Sequence, residues 1–144
     1  MYQRIVVGTD GSLTAERAVQ VAGGLALLTG AALHVVSAYK PARIAALVCA
    51  GGGNPRYGEE DRLAAKAVLD QALACLPPAS MSATTTICRL GDAADVLLTV
   101  AEEVAADLLV IGNRAVVGVR RCRLGAVADR VAHLAPCSVH IVNA

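Results

Sequence analysis

Short runs of strand-forming residues alternate with stretches of helical periodicity along most of the chain. Four of these runs are apolar and one is polar but rich in β-branched residues, and runs of this kind are typical of strands. They are Ile5–Val7, Leu33–Val36, Thr84–Cys88, Leu108–Ile111 and Ser138–Val142. The alternation predicts an α/β fold, in which helices cover both faces of an open parallel sheet.

Helical spacing of apolar residues predicts four helices between these strands. The first begins after Ser12, whose hydroxyl suits an N-cap, and ends at Gly30, which suits a left-handed C-cap. The other three are predicted over about Glu59–Leu76, from the cap residue Asp92 onward, and over Gly125–Leu134. The proline- and glycine-rich stretch 40–57 is predicted to be irregular, with a short helix possible over Ile44–Val48.

Length, charge and composition narrow the class of protein. A chain of 144 residues predicts one domain over residues 1–144. No apolar run is long enough to span a membrane, and the N-terminus lacks a signal-peptide pattern, so we expect a cytoplasmic protein without a membrane partner. A net charge of +1, with three tyrosines and no Phe or Trp, argues against a nucleic-acid partner.

Several kinds of site are not expected from the sequence. The five cysteines contain no C-x-x-C pair, and the three histidines show no metal-ligand spacing, so we expect no metal site. His34 lies within a predicted strand and is interpreted as a packed core histidine with satisfied ring nitrogens. No Walker lysine motif, dinucleotide G-x-G-x-x-G or G-x-S-x-G motif occurs.

The last third of the chain contains the clearest candidate for chemistry. Its buried strand ends in Gly112, which is followed by Asn113 and Arg114, and Gly125 opens a predicted helix. Because a helix N-terminus carries unpaired N–H groups, this arrangement predicts an anion site. If the first and fourth strands are neighbours, the crevice for a ligand lies between Asp10 and Gly112.

Three segments resemble the universal stress protein family in order and spacing. They are Val6–Ser12, Ala106–Gly112 and Ala135–Val142. The resemblance covers essentially the whole chain and implies the strand order 3-2-1-4-5. It also implies a homodimer, which we expect to form through Val139–Val142, since that strand would be an apolar sheet edge.

Nucleotide-binding members of this family carry a glycine, two residues, a second glycine, nine residues, and then Gly-Ser or Gly-Thr. Gly112 and Gly125 match this pattern, whereas Ala115 replaces the second glycine and Ala126 replaces the hydroxyl residue. A lost hydrogen bond to a charged group costs about 1.5–3 kcal/mol, or roughly ten- to a hundredfold in affinity. Four arginines are candidates to compensate as phosphate donors. They are Arg114, Arg120, Arg121 and Arg123.

The resemblance also implies roles for individual residues. Asp10 would bind the ribose hydroxyls, the backbone at Val35 would meet adenine, and the loop at Gly112, Asn113, Arg114 and Ala115 would approach the phosphates. The amides of Gly125, Ala126 and Val127 would hold them. Asp10 is also suited to stabilise the turn into the first helix, and the alternative role of the two glycines is to allow the close turns between strand and helix.

Two functions of different classes follow. The first is weak, non-enzymatic binding of an adenine nucleotide in a stress or signalling role, with ATP, AMP or cyclic AMP as ligand. The second is a dimeric interaction module whose phosphate loop has lost its ligand. Slow ATP hydrolysis is a weaker third hypothesis, because no general base or metal ligand besides Asp10 is evident.

Overall fold

The computed structural model describes residues 1–40, 57–114 and 124–143, apart from the Tyr57 side chain. The predicted helix over Ile44–Val48 and most of the predicted irregular stretch lie outside these residues. The elements are β1 (Arg4–Gly8), α1 (Leu13–Thr29), β2 (Ala32–Tyr39), α2 (Tyr57–Ala74), a 3₁₀ helix (Pro78–Ala83), β3 (Thr84–Leu90), α3 (Ala93–Glu103), β4 (Leu108–Asn113), α4 (Ala126–Leu134) and β5 (Ser138–Asn143). No helix in the described ranges is both long and apolar enough to cross a bilayer.

The five strands form one sheet in the order β3-β2-β1-β4-β5, and every neighbouring pair is parallel. This result confirms the predicted fold class and strand order. The polar strand β3 and the C-terminal strand β5 lie at the two edges, as expected. β2 is longer than predicted because it is paired on both sides, and its register with β3 extends to Tyr39 opposite Leu90.

Local sequence signals set the ends of the helices. The Ser12 hydroxyl accepts a hydrogen bond from the Ala15 amide, and the Asp92 carboxylate accepts one from the Ala94 amide, so both predicted N-caps are confirmed. Gly30 ends α1 with a φ of 71°, as predicted. The predicted end of α2 at Leu76 is two residues late, because Cys75 and Leu76 donate to carbonyls three residues back and tighten the chain.

The core is divided between the two faces of the sheet. On one face, α1 and α2 cover the side chains of Ile5, Val7 and Val35. On the other, α3 and α4 cover those of Val6 and Val36. Since successive strand residues point to opposite faces, this division follows from the unbroken apolar runs of β1 and β2.

His34 differs from its predicted environment. Its side chain is only half-buried, and its Nδ1 is buried without a hydrogen-bond partner among the residues that the structure describes. Its Cα lies opposite Val6 of β1, on the face of the sheet that α3 and α4 cover. Burial, together with the nearby positive charge of Arg4, lowers the pKa of His34. The interpretation of His34 as a satisfied core histidine is therefore wrong.

Gly112 allows β4 to approach the start of α1. A Cβ built at Gly112 would lie 2.7 Å from the carbonyl oxygen of Thr14 and 3.1 Å from the amide nitrogen of Ala15. Both are backbone atoms of the first helical turn and cannot rotate away. The glycine therefore has a packing role, whether or not a ligand approaches it.

We predict that Gly112→Ala lowers the free energy of unfolding by about 1–3 kcal/mol, because the added methyl forces β4 and α1 apart. Urea denaturation measures the effect. Gly24→Ala is the matched control, since no described atom lies within 4 Å of a Cβ at that position in α1. This control should gain about 0.5–1 kcal/mol from helix propensity. If both variants show the same increase in the free energy of unfolding, the close approach of β4 to α1 at Gly112 is contradicted.

Candidate functional site

A crevice opens at the carboxyl ends of β1 and β4, the point at which the strand order reverses. Its volume is about 460 Å³. The residues that line it are Gly8, Thr9, Asp10, Ser12, Ala15, Val36, Ala38, Ala93, Leu97, Ile111, Gly112, Arg114, Gly125, Ala126, Val127 and Ala128. Ligands of open α/β sheets bind at such reversal points. The expected position between Asp10 and Gly112 is thus where the structure has its crevice.

The turn from β1 into α1 presents Asp10 to the crevice. Gly11 adopts a φ of 81°, which other residues rarely adopt, and its amide donates to the Thr9 hydroxyl. The Asp10 Oδ1 accepts a hydrogen bond from the Ser12 amide at 3.0 Å. Asp10 therefore has the turn-stabilising role considered from the sequence, while its second carboxylate oxygen remains directed away from the turn.

That second oxygen forms an ion pair with Arg114 across the crevice. The distance from the Arg114 Nη1 to the Asp10 Oδ2 is 2.8 Å. Burial alone would raise the pKa of the Asp10 carboxyl. Hydrogen bonds from the Ser12 hydroxyl and amide, together with the Arg114 charge, outweigh burial and lower it. Asp10 is therefore a carboxylate at neutral pH, neutralised by an arginine whose side chain is 71% exposed.

The N-terminus of α4 faces the same crevice. Gly125 is the N-cap residue, and no side chain of the described residues caps the helix. The first amides of a helix have no partner within it, so those of Ala126 and Val127 carry partial positive charge at the crevice. A Cβ at Gly125 would meet its nearest described atom, the Arg114 carbonyl oxygen, at 3.4 Å. Unlike Gly112, Gly125 is not required by packing among the described residues.

Asn113 positions the helix and does not line the crevice. Its side chain is 9% exposed. Its Oδ1 accepts a hydrogen bond from the Gly125 amide at 3.0 Å, and its Nδ2 donates to the Asn143 Oδ1 at 3.0 Å. Asn113 and the Gly125 amide were both expected to approach the phosphates. In the structure, the side-chain amide of Asn113 and the backbone N–H of Gly125 are instead hydrogen-bonded within the protein.

The side chain of Val35 does not face the crevice, and the expected contact between the Val35 backbone and adenine stays a prediction. The Val35 side chain is fully buried under α1 and α2, on the other face of the sheet. On β2 the crevice is lined by Val36 and Ala38, and α3 adds Leu97. The strand alternation of β2 predicts that Val36 and Val35 face opposite sides, but the choice between them requires knowing which helices cover which face.

Some of the predicted site residues cannot be placed. Ala115, Arg120, Arg121 and Arg123 lie outside the described residues. Sequence reasoning also missed lining residues from α3, such as Ala93, since nothing in their sequence marks them as part of a site. Within the described ranges, no group of three or more His, Cys, Asp or Glu residues could hold a metal ion.

Ion pairs connect the two helices that flank the crevice. Arg130 of α4 contacts both Asp92 and Asp95 at the start of α3. Lys40, at the end of β2, contacts the Asp92 Oδ2 at 3.1 Å. The Lys40 hydrogen bond lowers the pKa of Asp92. Because these groups are largely exposed, the pairs contribute orientation more than stability.

The fold and the crevice define a class of α/β protein with a ligand-type site at the switch point of an open parallel sheet. The sequence profile described as the Universal stress protein family matches residues 1–143. The chain therefore belongs to the universal stress protein family, which confirms the resemblance.

Two curated relatives carry the same family name. A universal stress protein of Thermus aquaticus is 33% identical, and the alignment covers 99% of this chain and 100% of the relative. A universal stress protein of Methanothermobacter thermautotrophicus is 41% identical over 57 residues, which are 40% of this chain and 38% of that relative.

Two solved structures of similar proteins contain an adenine nucleotide. One is a universal stress protein in complex with cAMP, 33% identical with a TM-score of 0.66, over 98% of this chain and 96% of that chain. The other, from Archaeoglobus fulgidus, is in complex with dAMP. It is 27% identical with a TM-score of 0.72, over 98% of both chains.

We predict that Asn113→Ala lowers the free energy of unfolding by about 1 kcal/mol, since it leaves the part-buried Gly125 N–H without its acceptor. It should also speed hydrogen exchange at the Gly125 amide, measured by NMR. Asn143→Ala is the matched control, because it removes only the exposed partner of Asn113. If exchange at Gly125 is unchanged in Asn113→Ala, Asn113 does not position the helix.

Proposed function

We propose that this protein binds an adenine nucleotide in the crevice between β1 and β4, in a non-enzymatic stress or signalling role. The observation that carries the proposal is the meeting of three complementary surfaces in one crevice. These are the Asp10 carboxylate with its arginine partner, an apolar wall, and the open N-terminus of α4. The complexes of two similar family members with cAMP and dAMP support adenine as the base.

Each surface suits one part of a nucleotide. The carboxylate of Asp10 is an acceptor for ribose hydroxyls. The apolar side chains of Val36, Ala38 and Leu97 suit one face of the base. The amides of Ala126 and Val127 suit a phosphate, because they are the first amides of α4 and have no partner within the helix. Ala126 provides no hydroxyl, so we expect weak binding of ATP.

Isothermal titration calorimetry with ATP, AMP and cAMP tests this function. We expect measurable binding of at least one ligand, weakened about tenfold by Asp10→Ala through loss of hydrogen bonds to the ribose. Asp70→Ala is the control, since it removes an exposed carboxylate of α2 that does not line the crevice. The proposal fails if the unmodified protein shows no binding of any of the three at millimolar concentration.

The second candidate is a dimeric interaction module without a nucleotide. The ion pair between Arg114 and Asp10 favours it, because the arginine already occupies a carboxylate oxygen that a ribose would use. Mass spectrometry of small molecules released from freshly purified protein distinguishes the two candidates. A co-purified adenine nucleotide contradicts the interaction module.

We also propose that the protein forms a homodimer through β5, by antiparallel pairing of Val139–Val142 across a two-fold axis. Support comes from the position of β5 at the sheet edge and from its half-buried Val139, Ile141 and Val142. An edge of this kind pairs readily with a second copy.

Light scattering after size exclusion should give the mass of two chains. His140→Asp, which adds a charge to the exposed side of β5, should shift the protein toward monomer. His133→Asp, on the exposed surface of α4, is the control and should leave the mass unchanged. If the unmodified protein has the mass of one chain both at high concentration and after 100-fold dilution, the dimer is excluded.

A further inference from the structure

The Asp10–Arg114 pair leaves the ribose end of the crevice without net charge. One carboxylate oxygen accepts from the Ser12 amide at 3.0 Å and the other from Arg114 at 2.8 Å. A bare carboxylate at this position would repel any phosphate bonded to the neighbouring sugar. With Arg114 in place that repulsion is cancelled, and a cationic donor group stands beside the carboxylate.

The Arg114 guanidinium has N–H groups that the contact with Asp10 does not use. Arginine carries five N–H groups in a planar fork, and the contact with Asp10 uses the Nη1. The side chain is 71% exposed, so its remaining N–H groups are accessible from the crevice mouth. Because one edge of the fork is held at Asp10, a phosphate that binds the rest must lie within one guanidinium width of the carboxylate.

Two kinds of phosphate donor line the described part of the crevice: the Arg114 guanidinium, and the first amides of α4, which are those of Ala126 and Val127. Arg114 is the one cationic side chain among the described residues that line the crevice. The side chain of Asn113 is engaged with Gly125 and Asn143, and Ala126 has no donor beyond its backbone. Among the described residues, the charged contact for a phosphate therefore lies beside the sugar.

We propose that Arg114 is a specificity-determining residue that recognises a phosphate bonded directly to the ribose, so that the site prefers a nucleoside monophosphate to the free nucleoside. This inference rests on the proposed function and deepens it. The shared chemistry is a sugar-bonded phosphate, whether a 5′-monoester or a 3′,5′-cyclic diester. A charge-assisted hydrogen bond of this kind is worth about tenfold in affinity.

Calorimetric titration of adenosine, AMP, cAMP and ATP into the unmodified protein, Arg114→Gln and Arg114→Lys tests the proposal. In the unmodified protein, AMP or cAMP should bind at least about tenfold more tightly than adenosine. Arg114→Gln should weaken AMP and ATP by the same factor of about ten, because both carry the sugar-bonded phosphate. Adenosine should bind as before or more tightly, because Asp10 is then free for the ribose. Arg114→Lys should be intermediate.

Arg89→Gln is the matched control, because Arg89 also pairs with one acidic residue, Glu103, but lies outside the crevice lining. It should leave all four affinities unchanged. Equal weakening of adenosine and AMP by Arg114→Gln overturns the inference, as does a loss of ATP affinity without any loss of AMP affinity. In both cases nucleotide binding itself still stands. If not even adenosine binds the unmodified protein, the proposed function fails, and the inference fails with it.

Discussion

The parallel pairing of β1 with β4 at the centre of the sheet is the constraint on which the site depends. From β1 the chain continues to β2 and β3 on one side, and it returns to β4 and β5 on the other. The helices that follow β1 and β4 therefore cover opposite faces of the sheet, and a crevice opens between the two strand ends. Asp10 and Arg114, 104 positions apart, form an ion pair only because their strands are neighbours.

The two glycines of the family pattern have different physical roles. Gly112 lies against the backbone of the first turn of α1, so a side chain there is excluded by packing. Gly125 meets only ordinary contacts among the described residues and stands at the N-terminus of α4. The two glycines of the motif therefore differ in how tightly the fold constrains them, which their spacing alone does not reveal.

Prediction from the sequence was most successful where a local interaction decides the structure. Ser12 and Asp92 begin helices because their side chains accept from amides two or three residues onward, and Gly30 ends one because it adopts a left-handed conformation. It was least successful where distant elements decide. His34 was misjudged because the partners available to its ring are set by packing.

The sequence by itself determined the alternation of strands and helices, their caps, the family, and the residues at the ends of β1 and β4. These properties depend on periodicity, on side-chain contacts within a few residues, and on motif spacing. Only the tertiary structure decided that Arg114 pairs with Asp10, that the Asn113 side chain accepts a hydrogen bond from the Gly125 amide, and that Val36 lines the crevice. Each of these depends on atoms that are distant along the chain and are brought within about 3–4 Å by sheet pairing and helix packing, which no local pattern encodes.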